Sequence, residues 1–161
     1  MADLQALQQM MIEAYGSYQA ILTPGYWQEM KDSLDDVGTT IRLLEQGVGF
    51  LCEHDGLVVG AVYVVPAGNP TAFFSAEWAY IRKLGVLPRY RGFGIGKALM
   101  KMCIAHARDT GEQMLTLHTA GYQSAWRIYE QLGFIKANDI GQIFGHDYWL
   151  YVLELNQHTY A

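Results

Sequence analysis

Val86-Leu-Pro-Arg-Tyr-Arg-Gly-Phe-Gly-Ile-Gly-Lys-Ala-Leu99 is the stretch that decides the fold. It reads as a buried strand ending at Val86, a tight glycine-rich turn, and an amphipathic helix opening near Gly94. A strand that feeds glycines into a helix N-terminus leaves several backbone N–H groups unpaired, and the helix dipole adds partial positive charge there. Gly92, Gly94 and Gly96 lack the Cβ atoms that would hold a phosphate away from those N–H groups, while Arg91 and Lys97 add charge. The pattern predicts an anion cradle for a phosphate-bearing ligand.

Spacing separates three kinds of phosphate loop. A Walker A loop needs Gly, four residues, then Gly-Lys-Ser/Thr. Counting back from Gly96-Lys97 puts Arg91 where the first glycine belongs, and Ala98 stands where a magnesium-binding hydroxyl belongs. A dinucleotide fingerprint, Gly-x-Gly-x-x-Gly, places its third glycine on Lys97 or Leu99. The third pattern, Arg-x-x-Gly-x-Gly, is met by Arg91, Gly94 and Gly96.

On this loop the sequence resembles the GNAT superfamily of N-acetyltransferases, whose members bind the pyrophosphate of acetyl-CoA on such a turn. Ala79-Tyr-Ile-Arg-Lys-Leu-Gly-Val86, followed by Leu-Pro, is similar to the family's central strand and its exit, and Ile128-Tyr-Glu-Gln-Leu-Gly-Phe134 to a downstream helix and turn. The likeness covers residues 57–137 well and the rest loosely. It implies an α/β fold (α+β mixed sheet) with a central, mostly antiparallel sheet and flanking helices, and acetyl-CoA as the acyl donor. It also implies that Leu84, Val86 and the run Arg91, Gly92, Phe93, Gly94, Ile95, Gly96 and Lys97 hold the pantetheine and pyrophosphate. Tyr122 stands where many relatives carry an asparagine that contacts the pantetheine arm, with Ser124 as a partial replacement. Tyr129 matches the tyrosine that serves as general acid. On its own it reads as a half-buried aromatic between Trp126 and Leu132.

The general base stays open. Many relatives carry an acidic residue on the central strand where this chain has Tyr80; Glu77, His118 and a water relay are the candidates. The implied reaction is acetyl transfer to a primary amine by direct attack on the thioester. The rival is an acyl-CoA-binding sensor or complex subunit of the same fold without turnover. The acceptor, small molecule or peptide, is unnamed by any motif.

With 161 residues, 51% hydrophobic and 13% aromatic, the chain is expected to form one domain, residues 1–161, with a proper core. The net charge of −5 disfavours nucleic acid and is mildly compatible with a cationic amine. No apolar run reaches the length of a membrane span, and the polar start Met-Ala-Asp-Leu-Gln does not resemble a signal peptide. Cys52 and Cys103 lack metal-ligand spacing, so a reduced, cytoplasmic setting is expected. No metal is expected either; Cys103 and His106, three apart on a helix, read as packing.

Along the chain, apolar spacing predicts a helix from Asp3 to about Leu22, a second from Tyr26, and a further helical piece at Gly38–Leu44. Asp55-Gly56 between two β-rich runs signals a hairpin. A strand over Met114–His118, a helix over Ser124–Leu132 and a last strand over Asp147–Leu155 complete the order. The family opens with a strand, whereas this sequence starts almost directly in a helix. The sheet edge is then left bare or covered by another element or subunit, with a homodimer as one way to cover it.

Overall fold

The protein is described by a computed structural model over residues 4–155. Three helices come first: α1 (Leu4–Tyr15), α2 (Pro24–Asp35) and α3 (Val37–Gln46). The hairpin β1 (Val48–His54) and β2 (Leu57–Val65) follows, then β3 (Ala79–Val86), α4 (Ile95–Asp109) and β4 (Met114–Ala120). The short α5 (Trp126–Gln131) leads into the hairpin β5 (Ile135–Ile143) and β6 (His146–Glu154).

Local chemistry accounts for the boundaries. The Thr23 hydroxyl accepts a hydrogen bond from the Tyr26 N–H, and Pro24 fills the first turn of α2, where its missing N–H costs nothing. Asp55 and Gly56 both adopt positive φ (50° and 79°), as the tight turn between β1 and β2 requires. The first helix is shorter than its periodicity suggests. It stops at Tyr15, and Gly16–Ala20 winds on as a 3-10 turn. Glycine at position 16 weakens the α-helix there, and the tighter turn redirects Tyr18.

The six strands lie in the order β1-β2-β3-β4-β6-β5, antiparallel throughout except where β3 meets β4. Side chains of β2 alternate between two cores with the period of a strand. Val59, Ala61, Tyr63 and Val65 face α1, α2 and α3, whereas Val62 and Val64 face α4 and α5. The sheet is thus sandwiched between helices on both faces. Among the described residues no strand precedes α1, and β1 forms one edge, with Val48 and Leu51 exposed.

Two irregularities in β3 position the site. Its parallel pairing with β4 covers only Ala79 with Leu115 and Tyr80 with Thr116, so the strands separate beyond Tyr80. The pairing with β2 runs on to Val86, interrupted by a bulge. Ala61 faces Gly85 and Tyr63 faces Arg82, so β3 carries an extra residue, and Lys83 sits at φ 56°. A bulge bends its strand and re-aims the side chains around it. Gly85 lets α1 close on this bend. A Cβ there would lie 2.6 Å from the Met11 sulfur and 3.2 Å from the Ala14 Cβ.

Candidate active site

Where β3 leaves β4, the edge of β3 from Ile81 to Val86 that faces β4 has no strand partner. A cavity of about 400 Å³ opens at the mouth of this wedge. Leu84, Gly85 and Val86 form one wall, the loop before α4 another, and Ser124, Ala125 and Ile128 a third. Ala14, Tyr15 and Tyr18 close it from the side of α1.

The loop is built as its glycines suggest. Gly92 and Gly94 both adopt positive φ (85° and 81°), and a Cβ on either would meet nothing within 4 Å, so conformation and open approach are what glycine provides. Gly96 serves differently: a Cβ there would lie 3.3 Å from Ile128, so it lets α4 and α5 approach across the cavity. Gly94 caps α4 through its backbone, with no side chain bonded to the free N–H groups of the first turn. Lys97 adds a cation on the lining.

Of the residues expected to hold the donor, all line this cavity except Phe93, which is 76% exposed at the tip of the loop. Arg91 lines it too, but one guanidinium nitrogen donates to the Ala14 carbonyl at the end of α1. Arg91 therefore ties the first helix to the loop as well as adding charge. Tyr15 makes a second tie, donating its hydroxyl to the Leu84 carbonyl across the bulge (2.9 Å).

Tyr129 is buried on α5, its ring edge-on to those of Phe134 and Tyr151. Its hydroxyl has no hydrogen-bond partner among the described residues. It does not line the wedge cavity, yet it lies close enough to Tyr18, which does, for the two hydroxyls to influence each other's ionisation. Burial pushes its pKa well above the ordinary tyrosine value.

A second, smaller cavity of about 110 Å³ begins at Tyr15 and runs between α2 and the turn of the last hairpin. Arg82, Lys83, His118 and Phe144 line it. His118 stacks on Phe74 and meets Tyr148 edge-on, and its Nδ1 is buried without a partner. Burial, reinforced by the charge of Arg82, pushes its pKa down to about 4, so the imidazole is neutral at physiological pH. Glu77 lies in the turn that enters β3, with its N–H bonded to the Ser75 hydroxyl, and lines neither cavity. Tyr122 shares a hydroxyl–hydroxyl hydrogen bond with Tyr148 and packs edge-on against Tyr18.

The glycine loop, the wedge and the helix that follows are matched by the acetyltransferase (GNAT) family model, which aligns with residues 6–134. The chain belongs to this family. Human N-acetyltransferase 8B is 33% identical over 129 residues, an overlap covering 79% of this GNAT chain and 54% of that protein. The chain spans about half the length of the curated relatives it matches. Among solved structures, the PaiA N-acetyltransferase from Thermoplasma acidophilum in complex with coenzyme A superposes with a TM-score of 0.75 at 16% identity, covering 94% of this chain and 92% of that one. The yncA protein of Salmonella typhimurium, solved with its cofactor acetyl-CoA, gives 0.69 at 20% identity, with 99% and 94% covered. At these identities the likeness is one of fold.

Within this GNAT fold three features escape a motif search. Tyr15 at the end of α1 and Tyr18 in the 3-10 turn after it reach the wedge from a segment with no recognisable motif, and Arg82 sits beside the bulge. Among the described residues no three His, Cys, Asp or Glu side chains gather as a metal site. The Cys103 thiol is buried and pushed up to about 12, while His106 packs edge-on against Phe50. No helix of the described residues is long and apolar enough to cross a membrane.

Proposed function

We propose that this chain transfers the acetyl group of acetyl-CoA to a primary amine by direct attack of the amine on the thioester. The observation that carries the proposal is the open wedge between β3 and β4, lined by the glycine loop. Its chemistry fits the donor. An open cradle of N–H groups and two cations suits a pyrophosphate, and an unpaired strand edge suits the amides of a pantetheine arm.

Acetyl-CoA, when bound, supplies the activated acyl group. The N–H groups from Gly92 to Lys97 hold the anionic end, and the free β3 edge near Leu84 to Val86 aligns the arm and offers an N–H to a developing oxyanion. Tyr129, kept protonated by burial, donates its hydroxyl proton to the leaving sulfur. An alkyl ammonium of pKa about 10.4 must lose its proton first, which costs about 4.6 kcal/mol at neutral pH. His118, with a pKa of about 4, is too weak a base to take that proton outright. Water therefore carries the proton away. No metal is needed to neutralise phosphates already cradled by the loop, and the two free cysteines suit a reducing cytoplasm.

The test is thiol release from acetyl-CoA across polyamines, amino acids, aminoglycosides and peptide N-termini, with melting temperature followed in parallel. Acetyl-CoA at about 100 times its dissociation constant is expected to stabilise the protein by about 2.7 kcal/mol, and at least one amine class to release thiol. Stabilisation without thiol release from any class would instead establish a non-catalytic acyl-CoA binder. If acetyl-CoA neither stabilises the protein nor releases thiol, the donor assignment itself falls.

A further inference from the structure

We propose that the acceptor is a small amine bearing a carboxylate, held by the Arg82 guanidinium, with its apolar substituent against Met30, Leu34 and Phe144. This rests on the acetyl-transfer proposal for the adjoining wedge. Tyr15 lines both the wedge cavity and the smaller cavity beyond it, so the cavity that holds Arg82 adjoins the one assigned to the donor. The same Arg82, with Ser33, also lines a third cavity of about 550 Å³ that reaches Arg42 on α3.

Charge decides the class of ligand. No aspartate or glutamate lines either of these two cavities, whereas three cations do. Those cations are not equivalent. Lys83 donates to the Ser33 carbonyl, and the Asp36 carboxylate acts on both Lys83 and Arg42. Arg82 has neither kind of relief. Its guanidinium makes no hydrogen bond among the described residues, and the ion pair found there, Arg89–Glu13, does not include it. It is half-buried, and desolvation lowers its pKa. A partly buried cation with five unused N–H donors fits a carboxylate, which accepts two of them side by side.

His118, which lines the same cavity, is neutral at physiological pH and so adds no charge that would compete with Arg82 for the carboxylate. One cavity thus offers a fork for a carboxylate and apolar walls from α2 and the last hairpin. A diamine or polyamine would set a second positive charge against Arg82 with no acid to receive it. The net negative charge of the whole chain is opposed locally.

The test pairs free amino acids with their carboxamides (leucine, methionine and phenylalanine), with putrescine and phosphoethanolamine as further arms. Binding to the CoA-saturated protein is measured by calorimetry and acetyl transfer by thiol release. The expected result is that the free acid binds about tenfold or more tightly than its amide in at least one pair. Arg82→Gln should abolish that preference and Arg82→Lys should recover part of it, with both variants checked for an unchanged fold by circular dichroism. Carboxamides or putrescine binding as well as the acids, phosphoethanolamine binding better, or a preference that survives Arg82→Gln would overturn the proposal. Preferential binding of the acid without thiol release would uphold this recognition and remove the acetyl-transfer assignment. Efficient transfer to amides or diamines would do the reverse.

Discussion

Tyr129→Phe is expected to lower kcat for acetyl transfer by roughly 10²- to 10⁴-fold, the usual contribution of a positioned proton donor, while leaving acetyl-CoA binding intact. The structure separates these two effects. The Tyr129 ring packs against Phe134 and Tyr151, and phenylalanine keeps that packing. The hydroxyl bonds to nothing among the described residues, so its removal strands no partner, and it is absent from the lining of the wedge cavity. Removing it therefore subtracts a proton and little else. Rates of thiol release under saturating acetyl-CoA, with calorimetric binding of the same ligand, distinguish the outcomes. Equal kcat for the two proteins would move the proton donor elsewhere, with Tyr15 and Tyr18 as the next hydroxyls along the cavity.

Acid should weaken the fold through His118. Its pKa is about 4 in the folded protein and about 6.5 when unfolded. Between those values the unfolded chain binds the extra proton and the folded one does not, so stability rises with pH across the window. The contribution is fully present above pH 6.5, declines as pH falls, and is gone below about pH 4; its full size is about 3 kcal/mol. Carboxylates titrate nearby, so the informative quantity is a difference between proteins. His118→Phe preserves a ring beside Phe74 and Tyr148 but cannot titrate. Urea unfolding at pH 7 and pH 4.5 should show wild type losing appreciably more stability than the variant. Equal losses would mean that His118 is protonated without penalty in the folded state.

Much of the donor half of the site was legible in the residues. A strand, three glycines and a helix have local signatures, and the positive φ values of Gly92 and Gly94 are set by residue type at those positions. The acceptor half was not legible, because it arises from relations between segments. That β3 leaves β4 after Tyr80 is a property of pairing, and nothing in Ile81-Arg-Lys-Leu-Gly-Val86 announces it. Arg82 reads in a strand as an ordinary outward polar residue. The bulge at Lys83 and the closure of α2 over it create its enclosure. The Tyr15–Leu84 hydrogen bond joins positions 69 residues apart, beyond the reach of any periodicity. In the first helix the apolar spacing continues past Gly16 to Tyr18, whereas the backbone leaves the α-helix at Tyr15 and tightens into a 3-10 turn.

The most direct test of the account is a titration of the ¹⁵N-labelled protein with acetyl-CoA, followed by the backbone amide signals. The predicted result is saturable movement concentrated at Gly92–Lys97 and at Leu84–Val86, the two walls of the wedge, with little change at the β1 edge. Saturable binding that leaves the Gly92–Lys97 amides unmoved, or no binding at all, would contradict it.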